Sequence, residues 1–192
     1  MDAFLVSTGV VALAEIGDKT QLLAFLLAAR FKKPLPIVAG ILAATILNHG
    51  LAGALGGWIG ANVGPDILRW ILGLSFLAMA AWVMVPDKIE DEETQIARRL
   101  GVFGATFVTF FLAEMGDKTQ LATVALAAHY AAPVAVVIGT TLGMLIADVP
   151  AVFAGDRLAA KIPMKLVHGA AAAVFAALGL ATLFNVDTML GF

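Results

Sequence analysis

The sequence contains no cysteine and a single tyrosine, and charged residues make up only 14% of its 192 positions. Without cysteine there are no disulfides, thiolate nucleophiles, iron–sulfur clusters or cysteine-bound zinc. The scarcity of charge, with a formal net of −2, leaves no basic surface for nucleic acid. No Lys or Arg precedes Lys19, so the start of the chain lacks the basic region of a cleavable signal peptide. What the sequence does have is apolar: 61% of residues are hydrophobic and the mean hydropathy is +0.96. Soluble domains are about 45–50% apolar and about 25% charged. A single globular core of this length cannot hide so much apolar surface. The composition is that of a small polytopic membrane protein with the lipid bilayer as its surroundings.

Six segments reach the roughly 20 apolar residues that a transmembrane helix needs. They are Ala3–Ala29, Leu35–Gly60, Ile67–Val85, Val102–Ala128, Pro133–Gly155 and Leu166–Phe184. Their Ala- and Leu-rich runs lack the alternation of a membrane β-barrel. Arg30–Pro34, Ala61–Asp66 and His129–Ala132 read as tight turns, Asp156–Lys165 as a basic loop, and Pro86–Arg99 as an acidic linker. Positive charge sets the orientation. Arg30, Lys32, Lys33, Lys88, Arg98, Arg99, Arg157, Lys161 and Lys165 fall on one side of the expected topology, and Arg69 alone on the other. The linker is therefore expected in the cytoplasm, with both termini extracytoplasmic.

Residues 14–22 read Ala-Glu-Ile-Gly-Asp-Lys-Thr-Gln-Leu and residues 113–121 read Ala-Glu-Met-Gly-Asp-Lys-Thr-Gln-Leu, at an offset of 99. The same offset pairs Phe4 with Phe103, Pro34 with Pro133, Gly40 with Gly139, Gly56 with Gly155 and Phe76 with Phe175. The expected fold is therefore an all-α integral membrane protein of six transmembrane helices. Residues 1–85 and 100–192 would form two three-helix repeats of one membrane domain, joined by the linker at 86–99. Three is odd, so the two copies must be inverted with respect to each other, an arrangement found in secondary transporters.

Each copy places Glu15, Asp18 and Lys19, or Glu114, Asp117 and Lys118, near the middle of a span. A charge there costs about 2.5–3.5 kcal/mol on insertion scales. These groups must then face one another, a cavity or an ion. Glu15 and Asp18, three residues apart, are expected to share one helix face. Four carboxylates and two ammonium groups sum to −2, which matches one divalent cation. Thr20, Gln21, Thr119 and Gln120 add neutral oxygens, as ligands or as polar contacts between helices. The offset also maps His49 onto Asp148, both about midway along their helices. They are candidates for a proton pathway, with a hydrogen bond between helices as the alternative.

The duplicated E-x-G-D-K-T signature in a chain of this size resembles the calcium/manganese:cation antiporter family, uncharacterised protein family 0016. That family includes Golgi transporters of eukaryotes and manganese exporters of bacteria. The resemblance covers nearly the whole chain. It implies a metal:proton antiporter in which Glu15, Asp18, Glu114 and Asp117 bind the ion, and in which Lys19 and Lys118 compensate charge. It also points to the bacterial branch, in the cytoplasmic (inner) membrane. An all-oxygen site suits hard cations. Manganese is chosen from the resemblance, with calcium as the alternative ion. Crowded carboxylates in a medium of low dielectric retain protons when no metal is bound, so metal binding should release them. No prosthetic group is expected, and the expected partners are the divalent ion, protons, lipid and, left open, a second copy of the chain. A passive cation channel, an intramembrane aspartyl protease using Asp18 and Asp117, and a membrane scaffold are the rival readings.

Overall fold

A computed structural model of the chain describes residues 1–85, 100–154 and 164–184. The acidic linker and most of the Asp156–Lys165 loop lie outside the described residues. The described residues form eight α-helices and no strand. They are α1 (Asp2–Glu15), α2 (Lys19–Phe31), α3 (Pro34–Asn62), α4 (Pro65–Trp82), α5 (Gly101–Glu114), α6 (Lys118–Tyr130), α7 (Pro133–Ala154) and α8 (Met164–Leu183). Proline opens α3, α4 and α7, where its fixed φ suits a first turn and its missing N–H leaves no gap. Left-handed residues, Lys32 at φ 53° and Ala131 at φ 48°, close α2 and α6.

Among the described residues, four helices, α3, α4, α7 and α8, are long and apolar enough to cross a membrane. The segments Ala3–Ala29 and Val102–Ala128 differ from the expectation of one continuous helix each. Each is two short helices of 13 or 14 residues, parted at the signature. The physical reason is local. Ile16 and Met115 are extended, Gly17 and Gly116 take φ of +87° and +80°, and Asp18 and Asp117 are extended just before the next helix. Only glycine enters that positive-φ region without steric cost, and aspartate is a favoured residue just ahead of a helix. Glu15 is thus the last residue of one helix and Asp18 the residue before the next, so they do not share one helix face.

The two halves of the chain are interleaved. The main packing partners of α1, α3 and α4 are α7, α5 with α6, and α8. A Cβ on Gly40 would lie 2.9 Å from the Phe103 carbonyl oxygen and 2.7 Å from Thr106 Cβ. The equivalent Gly139 stands in the same relation to Phe4 and Ser7, at 2.6 and 3.1 Å. These six positions form three pairs related by the offset of 99, the reciprocal pattern of a twofold contact. Small residues let the helix backbones approach closely. Phe76 of α4 and its equivalent Phe175 of α8 stack with ring centroids 6.5 Å apart, both fully buried. The outer surface is apolar, with Leu51, Trp58, Trp70, Leu74 and Phe153 exposed, while Glu15, Glu114, Asp148, His49 and Asn48 are buried. Polar inside and apolar outside is the arrangement of a membrane protein.

Candidate cation site

The two helix breaks bring their acids together. One carboxylate oxygen from each of Glu15, Glu114 and Asp117 lies within 4.8 Å of the other two, and all three residues are buried. Oxygens bound to one calcium ion at 2.3–2.6 Å can be separated by up to about 5 Å, so this spacing admits a shared hard cation. Glu15 Oε1, Glu114 Oε1 and Asp117 Oδ2 are buried with no hydrogen-bond partner. Buried oxygens without a partner are costly unless a cation or proton meets them.

The remaining signature residues hold these acids in place. Thr20 Oγ1 donates to Glu15 Oε2 at 2.5 Å, and Thr119 Oγ1 donates to Glu114 Oε2 at 2.8 Å. Each hydroxyl fixes one oxygen of its glutamate and leaves the other open. The Gly17 and Gly116 N–H groups donate to Gln21 Oε1 and Gln120 Oε1 at 2.9 and 2.8 Å. These bonds satisfy amides that the helix breaks would otherwise leave without partners. Gln21 Nε2 also donates to the Ala147 carbonyl of α7 at 2.9 Å, tying the first break to that helix.

The lysines pair across the repeats. Lys118 Nζ is 3.0 Å from Asp18 Oδ1 with both side chains 2% exposed. Lys19 Nζ is 3.4 Å from Asp117 Oδ1, and the Lys19 side chain is 22% exposed. The exchange of partners is reciprocal but unequal, with one pair sealed and the other partly open. Sequence reasoning found every one of these residues but not the swap, because nothing in a local motif says which copy a side chain will reach.

His49 on α3 and Asp148 on α7 are fully buried. Neither ring nitrogen of His49 and neither oxygen of Asp148 has a hydrogen-bond partner. The adjacent Asn48 Nδ2 donates to the Phe111 carbonyl of α5 at 3.1 Å. A mainly apolar recess of about 290 Å3 among α3, α4 and α6, lined by Ile59, Leu72, Ser75, Met79 and Leu121 among others, presents no charged side chain.

A family model described as "Divalent cation/proton antiporter GDT1" matches the chain twice, over residues 3–91 and 102–190. The two matches stand at the same offset of 99 as the sequence repeat. A Vibrio cholerae protein named "Putative manganese exporter" is 50% identical over 185 residues, covering 96% of this chain and 92% of that protein. GDT1-like protein 4 of Oryza sativa subsp. indica is 33% identical over 95% of this chain and 73% of its own. A Synechocystis GDT1-like protein, sll0615, is 32% identical over 87% of this chain and 89% of its own. No solved structure matches.

Proposed function

The chain belongs to the GDT1 family of divalent cation/proton antiporters, and from that premise we propose that it exports manganese in exchange for protons. The observation that carries this reading is the meeting of buried carboxylates from two equivalent helix breaks, Glu15 from one and Glu114 with Asp117 from the other. In secondary transporters the site lies where inverted repeats meet, at discontinuous helices near mid-membrane. In this reading α1 with α2, and α5 with α6, each act as one interrupted span. With the four long helices they make six spans in two inverted repeats.

Glu15, Asp18, Glu114 and Asp117 form the ion-binding set. Thr20 and Thr119 orient the glutamates, and Gln21 and Gln120 hold the breaks open. Protons and the divalent ion compete for the same oxygens. When the ion leaves, protons take its place and the swapped lysines keep the aspartates from being left bare. Alternating access then follows from rocking one repeat against the other, with the two lysine–aspartate pairs closing opposite sides in turn. The inequality of the pairs, 3.0 Å and buried against 3.4 Å and partly exposed, favours this over a continuous channel. The all-oxygen ligand set fits manganese and calcium alike. Manganese is preferred because the Vibrio cholerae relative, similar over most of both chains, carries that ion in its name. The bias of basic residues favours the cytoplasmic membrane with both termini outside.

The test replaces each acid by its amide: Glu15→Gln, Asp18→Asn, Glu114→Gln and Asp117→Asn. Shape is kept and charge removed, so membrane insertion should survive while manganese transport into inverted vesicles falls by tenfold or more. Full transport by all four variants overturns the assignment.

A further inference from the structure

Asn48 is fully buried on α3, which packs against α5. Its Nδ2 donates to the Phe111 carbonyl of α5 at 3.1 Å, and its Oδ1 is buried without a partner. A carbonyl can only accept, so the amide must turn its NH2 toward α5. Phe111 opens the last turn of that helix and Glu114 ends it. Carbonyls in the last turn of a helix run out of regular donors and must find others. The ends of α1 and α5 meet this need differently. At the end of α1, the Ile16 N–H returns four residues to the Ala12 carbonyl, at 3.2 Å. At the end of α5, the equivalent Met115 N–H returns only three residues, to Leu112, also at 3.2 Å. The Phe111 carbonyl, the equivalent of Ala12, is left to Asn48. The next bonds are alike again, Asp18 N–H to the Glu15 carbonyl at 3.0 Å and Asp117 N–H to the Glu114 carbonyl at 3.1 Å.

The difference has a cause in the sequence. The offset of 99 maps Asn48 onto Ala147, whose side chain has no donor. Position 147 is still a point of attachment, because its backbone carbonyl accepts from Gln21 Nε2 of the first break at 2.9 Å. The same place on α3 and on α7 therefore holds the opposite repeat, by a side-chain amide in one case and by a backbone carbonyl in the other. A three-residue return winds the chain more tightly than a four-residue one. Glu15 thus follows a regular last turn and Glu114 a tightened one. A donor as deeply buried as the Asn48 amide is costly to leave without an acceptor, which keeps this bond closed.

From these contacts we infer that Asn48 is a positioning residue for the cation site: by taking the Phe111 carbonyl it keeps the last turn of α5 tight and so sets where Glu114 stands against Glu15 and Asp117. This rests on the cation site proposed above. Without the amide, the Met115 N–H is free to return to Phe111 as Ile16 returns to Ala12, and the turn that carries Glu114 rewinds. The site tolerates little of this. Its three acid oxygens already lie within 4.8 Å of one another, close to the widest separation, about 5 Å, that one ion can bridge. The donor also belongs to the other repeat, so a movement of one repeat against the other acts on this turn.

A double-mutant cycle separates positioning from packing. Asn48→Ala copies the residue of the other repeat. It is introduced into the full-length wild type, Glu15→Asp and Glu114→Asp. Each protein is purified in detergent, checked for a monodisperse profile and titrated with manganese, and its melting temperature is recorded. Asn48→Ala should weaken manganese binding by about fivefold to tenfold in the wild type and in Glu15→Asp. In Glu114→Asp the shortened acid has already left its place, and the further loss should be about twofold or less. A lower melting temperature with unchanged manganese affinity, or the same loss in all three backgrounds, overturns the inference while leaving the central site intact. Should Asn48→Ala fail to fold, Asn48→Leu, of similar size and without the N–H donor, carries the same expectations. A wild-type protein that binds no manganese overturns the central site, and this inference with it.

Discussion

Replacement of the two lysines should have unequal consequences, although the sequence around them is nearly the same. Lys118→Met keeps the aliphatic stem and removes the ammonium group. Asp18 is then left buried opposite an apolar methyl, with its former partner gone from 3.0 Å away and almost no solvent access. Breaking a buried pair by removing one member costs about 3–5 kcal/mol. Lys19→Met breaks a longer pair, 3.4 Å, whose lysine is 22% exposed. Solvent screens that pair, and the loss falls between the exposed and buried ranges, at about 1–2 kcal/mol. At about 2–4 °C of melting temperature per kcal/mol for a chain of this size, Lys118→Met should melt roughly 10 °C below wild type and Lys19→Met roughly 5 °C below. Trp58, Trp70 and Trp82 give an intrinsic fluorescence signal for unfolding in detergent. The double variant Lys118→Met/Asp18→Asn also removes the buried charge that faced the ammonium group and should recover most of the loss. A Lys118→Met loss no larger than that of Lys19→Met, or no recovery in the double variant, would refute the argument from unequal burial.

Thr20→Val and Thr119→Val each delete one hydroxyl donated to a glutamate. Each should weaken manganese binding by about fivefold to tenfold, the equivalent of about 1–1.4 kcal/mol, measured by equilibrium titration. Gly17→Ala and Gly116→Ala force a Cβ into φ of +87° and +80°. Each should lower stability by about 1 kcal/mol or more and reduce transport at unchanged expression. A Cβ on Gly56 would collide with the Val124 carbonyl oxygen and Ala127, whereas one on Gly50 meets nothing within 4 Å. Gly56→Leu should therefore yield aggregated protein on size-exclusion chromatography and Gly50→Leu a normal profile. For orientation, a cysteine placed at Glu92 should be shielded from membrane-impermeant thiol reagents in intact cells, and free labelling there would reverse the proposed topology.

Much of this arrangement was legible in the sequence because the physics behind it is composition and repetition. The all-helical, apolar character recurs in the eight helices of the described residues, and the offset of 99 recurs in the reciprocal Gly40 and Gly139 contacts and in the two family matches. The cost of burying Glu15 and Glu114 in an apolar chain marked them before any coordinates. What was not legible is what depends on three dimensions. Gly17 and Gly116 lie in runs whose hydropathy reads through them, and only their backbone angles reveal the breaks. Periodicity on an unbroken helix put Glu15 and Asp18 on one face, but the break turns Asp18 toward Lys118, 100 residues away. The partial exposure of one lysine against the burial of its equivalent cannot come from two identical stretches, Gly-Asp-Lys-Thr-Gln-Leu, and arises from differing surroundings.

The central claim is exchange of manganese for protons, and flux in proteoliposomes tests it most directly. Purified protein is reconstituted into vesicles enclosing a manganese-sensitive dye, with an outward-directed proton gradient imposed and then collapsed with an ionophore. The account predicts manganese uptake that depends on the gradient, stops on its collapse, and is accompanied by alkalinisation of the vesicle interior as protons leave. Manganese entry at the same rate with and without the gradient, and without proton movement, would contradict it.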